Sequence, residues 1–169
     1  MTDYVMGIDP GINGAIALYN PLTKDLIVHD IPTIQALRSS AAKDIDGYAL
    51  AILIDSLKPK VSTCFIEKVG GVGKQSASRS FQFGLNTGII HGIVYANLIP
   101  VAFVSPQKWK AHFGLKRPAD ASDSVFKTLS RGKASSLLPQ HAHLWALAKH
   151  DGKAEATLIA LYGGGTIND

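Results

Sequence analysis

Tyr4-Val5-Met6-Gly7-Ile8-Asp9-Pro10-Gly11 is the stretch on which the fold turns. Large and small side chains alternate as on a strand up to Asp9, and Pro10-Gly11 then turns the chain. Ile12-Asn13-Gly14 leads into a second strand at Ala15 to Tyr19, and Asn20-Pro21 makes another turn before a third at Leu26 to Asp30. Three antiparallel strands therefore open the chain. Leu50, Leu53, Ile54 and Leu57 recur at helical spacing between Asp46 and Pro59. Val61 to Glu67 reads as a short buried strand, followed by the glycine loop Gly70-Gly71-Val72-Gly73, a long helix from about Ser78 to Asn97 and a last strand at Val101 to Val104. The order predicts an α/β fold: a mixed five-stranded sheet, three antiparallel strands and then parallel ones, flanked by helices. Residues 106–140 mix basic, aromatic and small polar side chains and are expected to be extended or mobile, chiefly at 114–140. Ala156, Ile159 and Ala160 give the closing segment an apolar face, and Gly163-Gly164-Gly165 is expected to end that helix, leaving a frayed tail over 163–169.

A chain of 169 residues with 46% apolar side chains is enough for one compact domain with a real core. Ile89 to Val104, the most apolar run, is broken by His91, Asn97 and Pro100 and is too short to span a membrane. Thr2, Asp3 and Tyr4 run straight into a strand-like segment rather than a secretory leader, so the expected location is the cytoplasm. The lone Cys64, beside Phe65 and Ile66, reads as a buried small hydrophobe. A formal charge of +4 permits a polyanionic partner without requiring one.

The chemistry resides in the acids. Asp9 ends the first strand and Glu67 ends the strand after the first helix. If those strands are parallel neighbours, both carboxylates meet at the carboxyl edge of the sheet, where open α/β sheets take their ligands. Two such charges about 4 Å apart repel by roughly 4 kcal/mol at an effective dielectric near 20, so they call for a cation or a shared proton. Asp151 and Glu155, four residues apart, share one face of the last helix. No cysteine and histidine spacing suits zinc, whereas an all-carboxylate site suits Mg²⁺ or Mn²⁺, and a pair of such ions can hydrolyse a phosphodiester. Taken singly, Asp9 also fits a turn residue, Asp151 an N-cap and Glu155 a solvated helix face. Glu67, which continues the buried run Cys64-Phe65-Ile66, is costly unless it is paired or metal-bound.

Several strings together resemble one family. Met6-Gly7-Ile8-Asp9-Pro10-Gly11 with Gly14-Ala15, Phe65-Ile66-Glu67-Lys68, Gln75-Ser76 through Phe83-Gly84 and Gly88, Pro106-Gln107-Lys108-Trp109-Lys110, and His150-Asp151-Gly152-Lys153-Ala154-Glu155-Ala156 follow the order found in RuvC-type Holliday-junction resolvases of the ribonuclease H-like superfamily, in particular phage or prophage members. The resemblance implies a divalent-metal-dependent endonuclease that nicks four-way or other branched DNA symmetrically. It implies Asp9, Glu67, Asp151 and Glu155 as the catalytic, metal-binding tetrad, with about two Mg²⁺ or Mn²⁺ ions per site. The chain departs from the family twice. Many cellular members carry two aspartates three apart at the end, and the bacterial family has a base-stacking aromatic just after the second acid, where this chain has Gly70 to Gly73.

Lys68, Lys74 and Arg79 flank the glycine loop, while Lys108, Lys110 and Lys116 surround Trp109 and Phe113, and both clusters are candidate DNA-phosphate contacts. The resemblance implies that Lys108 or Lys110 stabilises the scissile phosphate. Trp109 alone fits a core anchor equally well, and Phe81 and Phe83 are expected in the core. Gly84, Gly88 and Gly92 leave a bare stripe on one helix, suited either to packing on the sheet or to a homodimer contact that would supply two sites for two nicks. An actin-like or sugar-kinase-type ATPase lobe also places an aspartate-glycine turn between strands, though such enzymes close two lobes over nucleotide. A catalytically silent branched-DNA-binding module would keep the same fold.

Overall fold

The computed structural model describes residues 4–38, 42–70, 76–116 and 123–166. Strands β1 (Tyr4–Asp9), β2 (Ala15–Tyr19) and β3 (Leu26–Asp30) form the opening antiparallel meander. Two three-residue strands, β4 (Thr33–Gln35) and β5 (Lys43–Ile45), pair with each other between Asp30 and Asp46, where the sequence reading assigns no element. Helix α1 (Gly47–Leu57) is capped by Asp46, whose side chain accepts from the Ala49 amide. It carries the chain across to β6 (Val61–Glu67), and α2 (Ala77–Ala96) then leads to β7 (Val101–Val104). The five-stranded sheet runs β3-β2-β1-β6-β7, with β1, β6 and β7 parallel, as expected from the sequence.

Strand parity assigns each face its task. Met6, Ile8, Cys64 and Ile66 point to one side and pack with Leu50 and Ile54 of α1 and Ile90 and Val94 of α2. Val5 and Phe65 point to the other, together with Gly7, against helix α5 (Asp151–Thr166), whose Ala156, Leu158, Ile159 and Ala160 are fully buried. Two residues further along each strand, the same parity turns Asp9 and Glu67 towards α5. Cys64 is completely buried, and burial pushes its thiol up, in keeping with an inert apolar role.

Glycine sets how close α5 comes. A Cβ on Gly7 would lie 2.3 Å from the Ala156 carbonyl oxygen, and one on Gly152 would lie 2.3 Å from that of Asn13 in the β1–β2 turn. The helix backbone therefore rests on the strand itself.

Two expectations are corrected. The stretch expected to be extended is largely helical: α3 (Pro106–His112), capped by Ser105, and α4 (Asp123–Leu137), followed by a 3-10 segment at Pro139–Trp145. The Pro106 ring occupies the first turn, where its missing N–H costs nothing, so it begins a helix. The terminal glycines do not end α5, which continues to Thr166. Gly163 lies under the Phe65 ring, where a Cβ would meet Cδ2 at 2.4 Å, so tertiary packing outweighs its weak helix propensity. Among the described residues, no helix is long and apolar enough to cross a membrane.

Candidate active site

The parallel register pairs Ile8 with Ile66, which brings Asp9 and Glu67 side by side at the carboxyl edge of the sheet. Glu155, one turn into α5, comes down onto the same spot because Gly7 and Gly152 let that helix approach. One carboxylate oxygen from each of Asp9, Glu67 and Glu155 lies within 4.8 Å of the other two. They share a cavity of about 720 Å³ with Asp151 and the β1–β2 turn.

Such proximity has an electrostatic cost. Burial, reinforced by the charges of Glu155 and Glu67, holds the Asp9 carboxyl well above its ordinary range, and Lys110 and Lys127 only partly counter this. Glu67 is pushed up to about 7, chiefly by burial and also by Glu155, against the lowering influence of Lys110 and the Trp109 indole. Trp109 is fully buried, which settles it as a core anchor. Its Nε1 is buried and has no aligned hydrogen-bond acceptor among the described residues, so its influence on Glu67 is that of a nearby N–H dipole.

Asp151 stands apart from that trio. Its Oδ2 lies 3.3 Å from Lys127 Nζ, and its Oδ1 lies 3.0 Å from Arg131 Nε without the alignment of a hydrogen bond. Glu155 Oε1 accepts from Ser130 Oγ at 3.0 Å and sits 3.7 Å from Lys110 Nζ, which itself lies over the Trp109 ring. The second acid pair is thus met by protein donors from α3 and α4, whereas Asp9 and Glu67 crowd together at the sheet edge.

The candidate phosphate contacts divide. Arg79, in the first turn of α2, lines the cavity, and Lys110 reaches Glu155. Lys68 lines a neighbouring cavity, while Lys108 and Lys116 are exposed and do not line the cavity that holds the acids. Lys74 lies outside the described residues.

Reading by sequence missed Arg38, Gln82, Asn86, Lys127 and Lys149, all of which line the cavity that holds the acids. Arg38 donates from Nη1 to both oxygens of Asp44, and Gln82 Nε2 donates to the same carboxylate at 2.8 Å, tying the β4–β5 pair to α2. Gln82 and Asn86 are four apart on the cavity side of that helix, a spacing that could have flagged them. Phe83 also lines the cavity, and Phe81, expected in the core, is 71% exposed. The glycine stripe does not pack on the sheet. A Cβ on Gly84, Gly88 or Gly92 would meet nothing within 4 Å among the described residues.

No protein-family model matches the sequence, and no curated protein matches it. Solved structures match the fold. Thermus thermophilus RuvC in complex with a Holliday junction substrate superposes with a TM-score of 0.54 at 15% identity, over 98% of this chain and 95% of that one. The fold is that of the RuvC-type resolvases. The yeast mitochondrial Holliday junction resolvase shares this RuvC-like, ribonuclease H-like sheet with a TM-score of 0.53 at 17% identity, over 94% of this chain and 76% of its own.

Proposed function

We propose that this protein is a divalent-metal-dependent endonuclease that resolves four-way or other branched DNA by paired, symmetric nicks. The observation that carries the reading is the convergence of Asp9, Glu67 and Glu155 at the sheet edge. Three hard oxygen donors, two of them raised above their ordinary carboxylate range by burial and crowding, suit Mg²⁺ or Mn²⁺, whose charge would favour their ionised forms and relieve the repulsion. When bound, such an ion activates water and polarises the scissile phosphate. Asp9, Glu67 and Glu155 are assigned as its ligands. A second ion would need Asp151 to exchange Lys127 and Arg131 for the metal.

The chain's own residues supply binding and orientation. Arg38, Arg79, Lys127 and Lys149 line the cavity and would grip the phosphates on either side of the cut. Lys110, beside Glu155, is the better placed of the two α3 lysines to meet charge at the scissile group. Lys68, Lys108 and Lys116 would extend the track outward along the DNA arms, and Lys74 is retained as a candidate contact from the sequence alone.

Two nicks need two sites, and the exposed face of α2 suits a twofold homodimer. Gly84, Gly88 and Gly92 permit close helix approach, and exposed Phe81, Leu85 and Phe103 lie on the same helix and on the edge strand β7. A cavity of about 550 Å³ beside the stripe, walled by Phe83, Thr87, His91 and Phe103, would receive partner side chains.

The test uses labelled four-way junction and matched linear duplex with Mg²⁺, Mn²⁺ or EDTA. Paired nicks in the junction alone, abolished by EDTA and by Glu155→Gln, are expected. Cutting of both substrates would remove junction selectivity, and binding without cutting would leave a silent DNA-binding module.

A further inference from the structure

We propose that Ser130 is a positioning residue for the metal centre, its hydroxyl fixing the Glu155 carboxylate where it faces Asp9 and Glu67. The inference rests on the metal-centre reading above. Ser130 is fully buried on α4, and its Oγ donates to Glu155 Oε1 at 3.0 Å. Lys127, Ser130 and Arg131 form one face of that helix, and Asp151 and Glu155 form the matching face of α5, so the two helices meet donor against acid. A buried hydroxyl is tolerated when it is bonded, and at an interior helical position alanine has the better propensity.

Two effects of the bond oppose each other. A donor makes the carboxylate less basic, which weakens its hold on a cation. It also freezes a side chain with three rotatable bonds, so that the orientation a ligand needs is already in place before the ion arrives. Orientation wins where outer partners of metal ligands are removed, typically at a loss of about tenfold or more in affinity. Lys110, at 3.7 Å from the same oxygen, supplies charge, whereas the hydroxyl supplies direction.

The experiment titrates the full chain with Mn²⁺ at pH 8, reading free ion by electron paramagnetic resonance and the fold by circular dichroism. Ser130→Ala is expected to fold and to bind Mn²⁺ about tenfold more weakly, with no further loss when it is combined with Glu155→Gln. Wild-type affinity in Ser130→Ala, or an equal loss in the Glu155→Gln background, overturns the assignment. Should alanine fail to fold, Ser130→Cys fills the same space with a weak donor and is expected to lose at least about threefold. Undiminished affinity in that variant overturns it too. Wild type and Glu155→Gln binding Mn²⁺ equally poorly would remove the metal centre itself, a result distinct from normal wild-type binding that Ser130→Ala leaves untouched.

Discussion

Asp9 and Glu67 stand on neighbouring parallel strands, set by backbone register and crowded by each other and by Glu155. Asp151 and Glu155 stand on α5 and are met by Lys127, Arg131, Ser130 and Lys110 from the helices around it. The helix-borne pair faces cations and a hydroxyl, whereas the strand-borne pair is crowded by acids. A mixed centre of this kind predicts different failures for the two halves.

The largest effect should come from the strand side. Glu67→Gln is expected to lower junction cleavage by about a thousandfold, the equivalent of several kcal/mol of lost transition-state stabilisation, while junction affinity stays within about threefold. Gel-shift and single-turnover assays measure the two quantities separately, and parallel loss of both would point to a folding defect.

Next is pH. Glu67 rises from its ordinary 4.5 to about 7, so the metal-free fold favours the protonated form. Its stabilising contribution is complete below about pH 4.5 and is lost as pH rises through about 7, a change of about 3 kcal/mol. The raised Asp9 carboxyl acts in the same direction. Thermal unfolding without metal should therefore move to lower temperature between pH 5 and 8, and Mg²⁺ should restore it at pH 8 but not at pH 5. A metal-free Tm that is flat or rising across this range would contradict the strand-side half of the comparison.

On the helix side, Asp151→Asn should leave Arg131 partly buried without its counter-charge and cost about 2 kcal/mol in urea unfolding, less than for a fully buried pair because Lys127 is half exposed. Its Mn²⁺ affinity should stay within about threefold. A collapse of Mn²⁺ binding with stability intact would move Asp151 into the ligand set and make the two halves alike.

The smallest effect concerns assembly. Gly88→Ala meets open space in the monomer and should add up to about 1 kcal/mol through helix propensity, while weakening self-association in sedimentation equilibrium. Unchanged association would clear the stripe of any role between copies.

The strand-borne half was legible because its signals are local and periodic: alternation through Tyr4 to Asp9, a turn at Pro10-Gly11, and Glu67 closing the apolar run Cys64-Phe65-Ile66. Parity and the crossover through α1 then bring the two acids together. The helix-borne half depends on α4, and nothing local marks it. A serine that is fully buried reads in sequence like one in solvent, and Arg131 and Lys127 look like an ordinary basic surface. The β4–β5 pair escaped notice because three residues are too few to show a period, yet it carries Asp44, the acceptor for Arg38 and Gln82 beside the cavity. Gly163 misled in the opposite direction, because a local stop signal yielded to the ring of Phe65.

Gly7 lies two residues before Asp9 and has no part in the chemistry. A methyl group there would collide with the backbone of α5 at Ala156 and Ala160, the same helix that carries Glu155 one residue earlier. Pushed away from the sheet, the helix would act as a rigid lever and carry its acid out of reach of the other two. The gauge of the acid cluster is thus a hydrogen atom on Gly7, and the position least tolerant of change need not be one that carries an acid.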